Sequence, residues 1–208
     1  MRVYEAPGFP NPTRIRIAAA EKGLTDTIEF VPVDVPNGEH RTAAFLAKNP
    51  TGTVPALELD DGTVIAECTA ITEYLDSVAG ERTLTGRTAK ERGVVHMMQR
   101  RTENGLLDAV GDYFHHATPG LGPDIETYQC ADWGEHRRDR ALKGMEYLNE
   151  VLADRPWIAG DTFSMVDITA YAGLGFADFA GVGIPEALTN LHDWRARVAA
   201  RPAVANAA

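Results

Sequence analysis

The segment 49–75, NPTGTVPALELDDGTVIAECTAITEYL, constrains the fold of this chain more than any other. Two short apolar runs flank Asp60-Asp61-Gly62, a triplet that favours a tight hairpin because glycine adopts positive φ without steric cost. Apolar residues at helical spacing follow from Ile71 onward. The segment therefore predicts a strand, a tight turn, a second strand and a helix.

Two features of this segment are unusual for a purely structural hairpin. Pro55 stands at the head of the first strand, and a residue without a backbone N–H belongs on an edge or in a special turn. Glu67 and Cys68 stand where the second strand becomes a helix, whose free N–H groups attract anions. Together these two features suit a short, charged, peptide-like ligand. The alternative is that Pro55 simply starts the strand.

The residues before this segment follow a βαβ pattern. Residues 3–4 and 28–33 are predicted strands, and 15–21 is a predicted helix with Asn11 as its N-cap. A crossover helix makes the two strands parallel. A short irregular helix is expected over 40–48. The first half is therefore predicted as βαβ-α-ββα.

The second half shows helical patterns only. Long helices are predicted over 94–114 and 125–152, and a last one over 191–200. Ser164 followed by Asp167 predicts a capping box at the start of another helix.

These patterns predict an α/β domain followed by an all-helical domain. We expect the first domain to span 1–79 and the helical bundle to span 89–208. The polar segment 80–88, with two glycines, is the expected linker.

Composition limits the partners of the chain. With 30 acidic and 20 basic residues, its net charge of −10 argues against nucleic acid and anionic membranes as partners. No signal-peptide core and no apolar run of membrane-spanning length is visible. Two cysteines are too few for a disulfide framework, so a reducing cytoplasm is the expected location.

Four motifs in order identify a family resemblance. They are PNPTRIRIAAAEKG, EHRTAAFLAKNPTGTVPAL, IAECTAITEYL and IAGDTFSMVDI. The chain resembles the cytosolic glutathione transferase superfamily, with motifs similar to its phi and nu-like members. The resemblance implies a thioredoxin-like first domain, glutathione as co-substrate, a homodimer, and a role in detoxification.

The resemblance also implies a glutathione site in the first domain. The family pairs the backbone of the residue before a cis proline with the cysteinyl unit, and here those residues are Val54 and Pro55. An acid and a hydroxyl hold the γ-glutamyl end, and here Glu67 and Cys68 occupy those positions. A thiol is a weaker donor than the usual Ser or Thr, so we expect weaker glutathione binding. Cys68 is either a reactive thiol at a helix start or a buried apolar filler.

A basic pair completes the implied binding site. His40 and Arg41 fall where relatives hold the glycine carboxylate of glutathione. The alternative is that both side chains are solvated residues of a loop. Thr53 stands where a Gln or Lys is common and would donate a weaker bond.

The catalytic position departs from the family pattern. Alignment places Phe9 where relatives carry a Ser or Cys that activates the glutathione thiol, and Phe has no donor. Asn11 matches an asparagine of nu-like transferases and is the expected substitute; alternatively, it only caps the helix. Tyr4 is a weaker candidate.

The acceptor pocket is expected between the two domains. Its candidate residues are Met97, Arg101, Tyr113, Phe114 and His115. A Met and aromatic stripe is equally typical of a helical core. His115-His116 has no further ligands at metal-binding spacing, so no metal site is expected.

Two functions follow from these residues. The first is a glutathione transferase that transfers the thiolate to an electrophilic or disulfide small molecule, with possible disulfide-reductase chemistry. The alternative, based on Phe9 and Cys68, is a catalytically weak or silent binding or scaffold protein of the same fold.

Overall fold

A four-stranded mixed sheet forms the first part of the computed structural model, which describes residues 1–205. The strands are β1 (Arg2–Glu5), β2 (Glu29–Pro32), β3 (Ala56–Glu58) and β4 (Val64–Ala66), in the spatial order β2-β1-β3-β4. β1 pairs with β2 in parallel and with β3 antiparallel, and β3 pairs with β4 antiparallel. The predicted crossover and hairpin are confirmed.

Three helices pack with this sheet. They are α1 (Pro10–Glu21), the single-turn α2 (Ala43–Leu46) and α3 (Cys68–Val78), with 3₁₀ turns at Thr25–Thr27 and Glu39–Arg41. The buried core between the sheet and α1 and α3 includes Val3, Ile15, Leu57, Ile71 and Leu75. The predicted thioredoxin-like element order is therefore confirmed.

The start of α1 differs from the prediction. The helix begins at Pro10 and Phe9 is its N-cap, with no side-chain cap. Proline suits the first helical position because its missing N–H would have no intrahelical partner there. Asn11 is therefore inside the first turn, and the prediction that it caps the helix is wrong.

The second part of the described chain is helical. Its helices are α4 (Ala89–Thr102), α5 (Asp108–Ala117), α6 (Ala131–Val151), α7 (Met165–Phe179), α8 (Thr189–Ala199) and the short α9 (Pro202–Ala205). The predicted α/β plus all-α fold class is confirmed. Residues 206–208, the end of the predicted helical domain, lie outside the described residues.

Two helix predictions need correction. The helix predicted over 94–114 is interrupted by a π-helical turn, Glu103–Leu107. The helix predicted from 125 begins at Ala131, because side chains hold the preceding loop in a non-helical path. Glu126 accepts from the Leu121 N–H, and Gln129 donates to the carbonyl of Thr118.

The predicted capping box at α7 is confirmed. Ser164 Oγ accepts from a backbone N–H of the first turn, and Asp167 accepts from the Ser164 N–H at 2.9 Å. The fully buried Asp167 carboxylate also accepts from the Ile158 N–H and from Trp194 Nε1. One acid therefore fixes the start of α7 and ties α8 to it.

The π-helical turn meets α6 at a close contact between two glycines. A Cβ added to Gly144 would overlap the carbonyl oxygen of Gly105 and lie 2.8 Å from its carbonyl carbon. The backbones can approach this closely only because Gly144 has no side chain, whereas a Cβ added to Gly105 would lie 3.9 Å from Gly144 Cα, an ordinary contact.

Gly144→Ala is expected to lower the free energy of unfolding by about 1–3 kcal/mol, because the added methyl group has no room without backbone movement. Denaturant unfolding monitored by circular dichroism measures the change. Gly93→Ala is the matched control, since Gly93 is an exposed position of α4 with nothing within 4 Å of an added Cβ. That variant is expected to gain up to about 1 kcal/mol from helix propensity. Equal stability of the two variants would contradict the close-contact argument.

A buried carboxylate organises the segment that follows α3. Asp76 is fully buried and forms an ion pair of 2.8 Å with Lys22 of α1. It also accepts from the backbone N–H groups of Thr83, Leu84 and Thr85. Burial disfavours the charged form of Asp76, but Lys22 and the N–H groups outweigh burial and lower its pKa.

Asp76→Asn is expected to destabilise the protein by about 3–5 kcal/mol near pH 7, because it leaves Lys22 without its charged partner. A lowered folded-state pKa gives stability that is present above the unfolded pKa of about 3.9 and is lost as pH falls through the folded value. The difference in the free energy of unfolding between Asp76→Asn and the parent protein should therefore be constant from about pH 7 to 5 and shrink below about pH 4. Thermal unfolding across this range tests it, with the exposed Asp26→Asn as control. A difference that persists at acid pH would contradict the assignment.

Candidate active site

A cavity of about 800 Å³ lies between the sheet and the helical part. Residues from the start of α1 and from the turn before β3 line one side, and residues of α5, α7 and the loop after α5 line the other. Of the predicted site residues, the cavity brings together Phe9, Asn11, Val54, Phe114 and His115.

The start of α1 supplies the polar side of the cavity. Phe9 precedes the helix and presents no hydrogen-bond donor from its side chain. Asn11 Oδ1 accepts a hydrogen bond of 2.9 Å from Arg14 Nη1. A guanidinium can only donate, so the amide oxygen of Asn11 is committed to Arg14 and its NH₂ group is left as the donor.

The turn before β3 carries the cis Val54–Pro55 bond that the resemblance implies. Within residues 1–205, the backbone N–H and carbonyl of Val54 have no protein partner. Buried Asn49 braces this turn by donating to the carbonyl and the hydroxyl of Thr53. The Thr53 hydroxyl is thus engaged inside the turn.

Glu67 holds a strained backbone conformation at the start of α3. Its φ of 69° is the one positive φ of a non-glycine residue in the described chain. Such a conformation costs on the order of 1–3 kcal/mol and is often found at functional sites. The Glu67 side chain is exposed and makes no ion pair with another described residue, so its carboxylate is available to a ligand.

Cys68 is the first residue of α3 and is buried. Its Sγ lies 3.4 Å from the backbone oxygen of Asn11, which brings the starts of α1 and α3 side by side. Burial raises the pKa of the Cys68 thiol to about 11. Of the two alternatives, the structure therefore favours the buried filler over the reactive thiol.

The basic pair separates into two environments. His40 is buried, its Nδ1 has no hydrogen-bond partner among the described residues, and burial followed by the charge of Arg41 lowers its pKa. Arg41 is exposed and its guanidinium reaches the carbonyl of Ile125, in the loop after α5, at 3.4–3.5 Å. Of the pair, Arg41 is the member that carries a positive charge at neutral pH.

An aromatic wall faces Asn11 across the cavity. Phe114 stacks at an angle against Phe176 and Phe179, with ring centroids 5.3 and 5.8 Å apart. Phe179 is 76% exposed and lies at the rim. An apolar wall of this kind suits an apolar ligand.

His115 adds a polar group to this wall. Its Nδ1 lies 2.7 Å from Glu126 Oε1. Burial opposes the charged form of Glu126, but the Leu121 N–H and His115 outweigh it, so the pKa of Glu126 is lowered.

Three predicted pocket residues lie elsewhere. Met97 and Arg101 line a separate cavity of about 900 Å³ between α4 and α6. The Tyr113 ring packs under the guanidinium of Arg138 on α6. All three were predicted from helical spacing, but spacing alone does not show which neighbour a helix face meets.

The cavity also has contributors that the sequence reasoning missed. Asp108 is a lining residue. Asn49, Arg14 and Glu126 do not line the cavity but form hydrogen bonds to Thr53, Asn11 and His115, respectively. Partial burial of Asp108, followed by the charge of Glu103, raises the pKa of its carboxyl group. Only Asn49 carried a usable signal, since it opens the turn that contains Pro55.

Residues 1–205 lack two further kinds of functional feature. No helix in this range combines the length and hydropathy needed to span a bilayer. No three His, Cys, Asp or Glu side chains in it form a group that could hold a metal ion.

The sheet order, the cis proline and the appended helical part define the glutathione transferase fold. The family model for the glutathione S-transferase N-terminal domain matches residues 10–78, and that for the C-terminal domain matches 131–197. The chain belongs to the glutathione transferase family.

The similarity to known proteins covers nearly the whole chain. Glutathione S-transferase 2 of Saccharomyces cerevisiae is 54% identical over 98% of this chain and 88% of its own length. The crystal structure of Gtt2 from Saccharomyces cerevisiae superposes with a TM-score of 0.98 at 53% identity, with full coverage of both chains. A glutathione S-transferase domain-containing protein of Marinobacter aquaeolei gives a TM-score of 0.97 at 62% identity, covering 98% of this chain and 100% of its own.

The buried Cys68 is expected to react slowly with thiol reagents. A rise in pKa from 9.0 to about 11 leaves roughly 100-fold less thiolate near neutral pH, and burial restricts access further. Labelling rates of the single-cysteine variants Cys130→Ser and Cys68→Ser measure the difference. Both cysteines should react at similar rates in denaturant. Rapid labelling of Cys68 in the folded protein would restore the reactive-thiol alternative.

Proposed function

We propose that this protein is a glutathione transferase enzyme that binds glutathione in the cavity beside Val54 and transfers its thiolate to a small molecule. Family membership supports the activity. The observation that carries the proposal is that Val54 and Asn11 line the same cavity. The backbone N–H and carbonyl of Val54 have no partner in residues 1–205. A peptide-like ligand pairs with free backbone groups as an added strand does.

The γ-glutamyl end of glutathione is assigned to the start of α3. The exposed carboxylate of Glu67 would bind its ammonium group, and the N–H groups of Cys68 and Thr69 would bind its carboxylate, as helix starts do. The thiol of Cys68 is turned toward the Asn11 carbonyl, so the backbone rather than the side chain serves as donor.

The glycine end is assigned to Arg41, with His40 and Thr53 beside it. Arg41 is exposed and charged, and its long contact with Ile125 is weak enough to be exchanged for a carboxylate. His40, buried and with a lowered pKa, would contribute a neutral ring.

Thiolate formation is assigned to Asn11. The Phe9 side chain supplies no donor. In Asn11, the amide oxygen accepts the bond from Arg14, so the NH₂ group remains available to donate to the glutathione sulfur. A hydrogen bond to an anion stabilises it more than the neutral thiol and therefore lowers the thiol pKa.

The second substrate is assigned to the aromatic wall. Phe114, Phe176 and the exposed rim residue Phe179 favour a hydrophobic electrophile, with His115 as a polar contact. A mixed disulfide is the other substrate class, in which case the enzyme acts as a glutathione-dependent disulfide reductase. Detoxification is the corresponding role.

The setting of the enzyme is proposed from the family. We propose a cytoplasmic homodimer, with domains spanning 1–79 and 89–208 joined by the linker 80–88. Light scattering coupled to size-exclusion chromatography tests the dimer.

A silent binding or scaffold protein is the second candidate, favoured by Phe9 and by the buried side chain of Cys68. It binds glutathione without turnover of an aryl chloride or a mixed disulfide at any accessible pH. Turnover that disappears in Asn11→Ala, with folding intact, excludes it.

Asn11→Ala is expected to lower kcat/KM about 10–100-fold, because a hydrogen bond to a charged group contributes about 1.5–3 kcal/mol. Its affinity for glutathione should change little. Steady-state kinetics with an aryl chloride and calorimetry with glutathione separate the two effects. Unchanged turnover in Asn11→Ala would remove Asn11 from the mechanism.

Glu67→Gln is expected to weaken glutathione binding about 10–100-fold, because the ligand ammonium loses its charged partner. Calorimetric titration measures the affinity. Glu186→Gln removes an exposed acid of the helical part and is the matched control. Equal affinities in the two variants would refute the assignment of the γ-glutamyl end.

A further inference from the structure

We propose that Arg14 is a positioning residue that fixes the side-chain amide of Asn11 so that the NH₂ group, and not the oxygen, faces the glutathione sulfur. The inference rests on the thiolate role proposed for Asn11. It gives a functional role to the ion pair between Arg14 and Glu103, which joins the sheet-containing part of the molecule to the helical part.

Arg14 is held on both sides of its guanidinium. It is only 5% exposed. Nη1 donates to Asn11 Oδ1 at 2.9 Å, and Nη2 donates to Glu103 Oε1 at 2.7 Å. A planar guanidinium bonded at two nitrogens has a fixed orientation, and this fixes the amide bonded to it.

Glu103 is the anchor of this arrangement. The same oxygen, Oε1, also accepts from Thr69 of α3 and from Gln99 of α4, both at 3.0 Å. Gln99 in turn donates to buried Thr169 of α7 at 2.9 Å. Three helices, α3, α4 and α7, therefore contribute to holding Glu103, and through it Arg14 of α1.

Glu103 also opens the π-helical turn that interrupts the helix between α4 and α5. Single π-helical turns are rare in proteins, and those that occur are often found at functional sites. A structural reason for the interruption is that it sets Glu103 beside Arg14.

The orientation of the amide has a direct chemical consequence. An Asn amide rotated by a half-turn exchanges a donor for an acceptor at nearly the same place. An oxygen facing the sulfur would repel the thiolate and raise the thiol pKa. Arg14 prevents this because it has no acceptor and can bond only the amide oxygen.

The test is a double-mutant cycle read by the pKa of the bound glutathione thiol. Arg14→Lys keeps the positive charge but loses the two-nitrogen fork, and Asn11→Ala removes the amide. The thiolate absorbs in the ultraviolet, so a pH titration of the enzyme–glutathione complex gives the thiol pKa in each single variant and in the double variant.

The inference expects the thiol pKa to rise by about one to two units in Asn11→Ala, and by up to about one unit in Arg14→Lys. In the double variant, the Arg14 substitution should add nothing to the shift of Asn11→Ala. The same added shift in both backgrounds would mean that Arg14 acts directly on the sulfur, which overturns the inference. A shift in Asn11→Ala without one in Arg14→Lys overturns it while leaving the proposed function intact. No shift in Asn11→Ala overturns the role of Asn11 and the inference together.

Glu103→Gln provides a second test if Arg14→Lys does not fold. Removal of a nearby negative charge lowers a thiol pKa by electrostatics alone, whereas a loosened Arg14 raises it. A raised pKa supports positioning; a lowered or unchanged pKa contradicts it. Asp76→Asn is the destabilised control, since it weakens the fold without contact with Arg14 and should leave the thiol pKa unchanged.

Discussion

The ion pair between Arg14 and Glu103 is the interaction on which the cavity depends, because it joins the sheet to the helical part. Arg14 belongs to α1, and Glu103 opens the π-helical turn after α4. The pair is shielded from solvent, so its attraction is weakly screened, and the bonds from Thr69 and Gln99 satisfy the carboxylate. Together with the packing of Ile17 and Ala18 of α1 into the helical core, this contact sets the relative position of the cavity's two walls.

The two walls have different chemistry. The wall from the sheet side offers the backbone groups of Val54 and the Asn11 amide. The exposed carboxylate of Glu67 lies outside this wall, next to Cys68, whose Sγ contacts the Asn11 carbonyl. The wall from the helices is aromatic and ends at exposed Phe179. The two ligands proposed above, glutathione and an apolar second substrate, would therefore lie side by side, each recognised by a different part of the chain.

Local sequence signals predicted the elements that depend on local chemistry. Pro55, the Asp60-Asp61-Gly62 turn and the Ser164 capping box act within a few residues, so the hairpin and the start of α7 follow from the sequence. Interactions between distant residues were not predictable in this way. Spacing could not assign Met97 to a different cavity from Phe114, and nothing near Glu103 indicates that its partner lies 89 residues away.

The burial of Cys68 has a consequence for the chain's own resistance to thiol oxidation. Enzymes that handle peroxides and reactive electrophiles are often inactivated when a thiolate of their own is attacked. The proposed tripeptide pocket exposes no such group, because the sulfur beside it is protonated and shielded. Sulfur-directed oxidants would therefore find no reactive thiolate of the protein's own at this position, and Cys68 would remain a thiol in the folded chain.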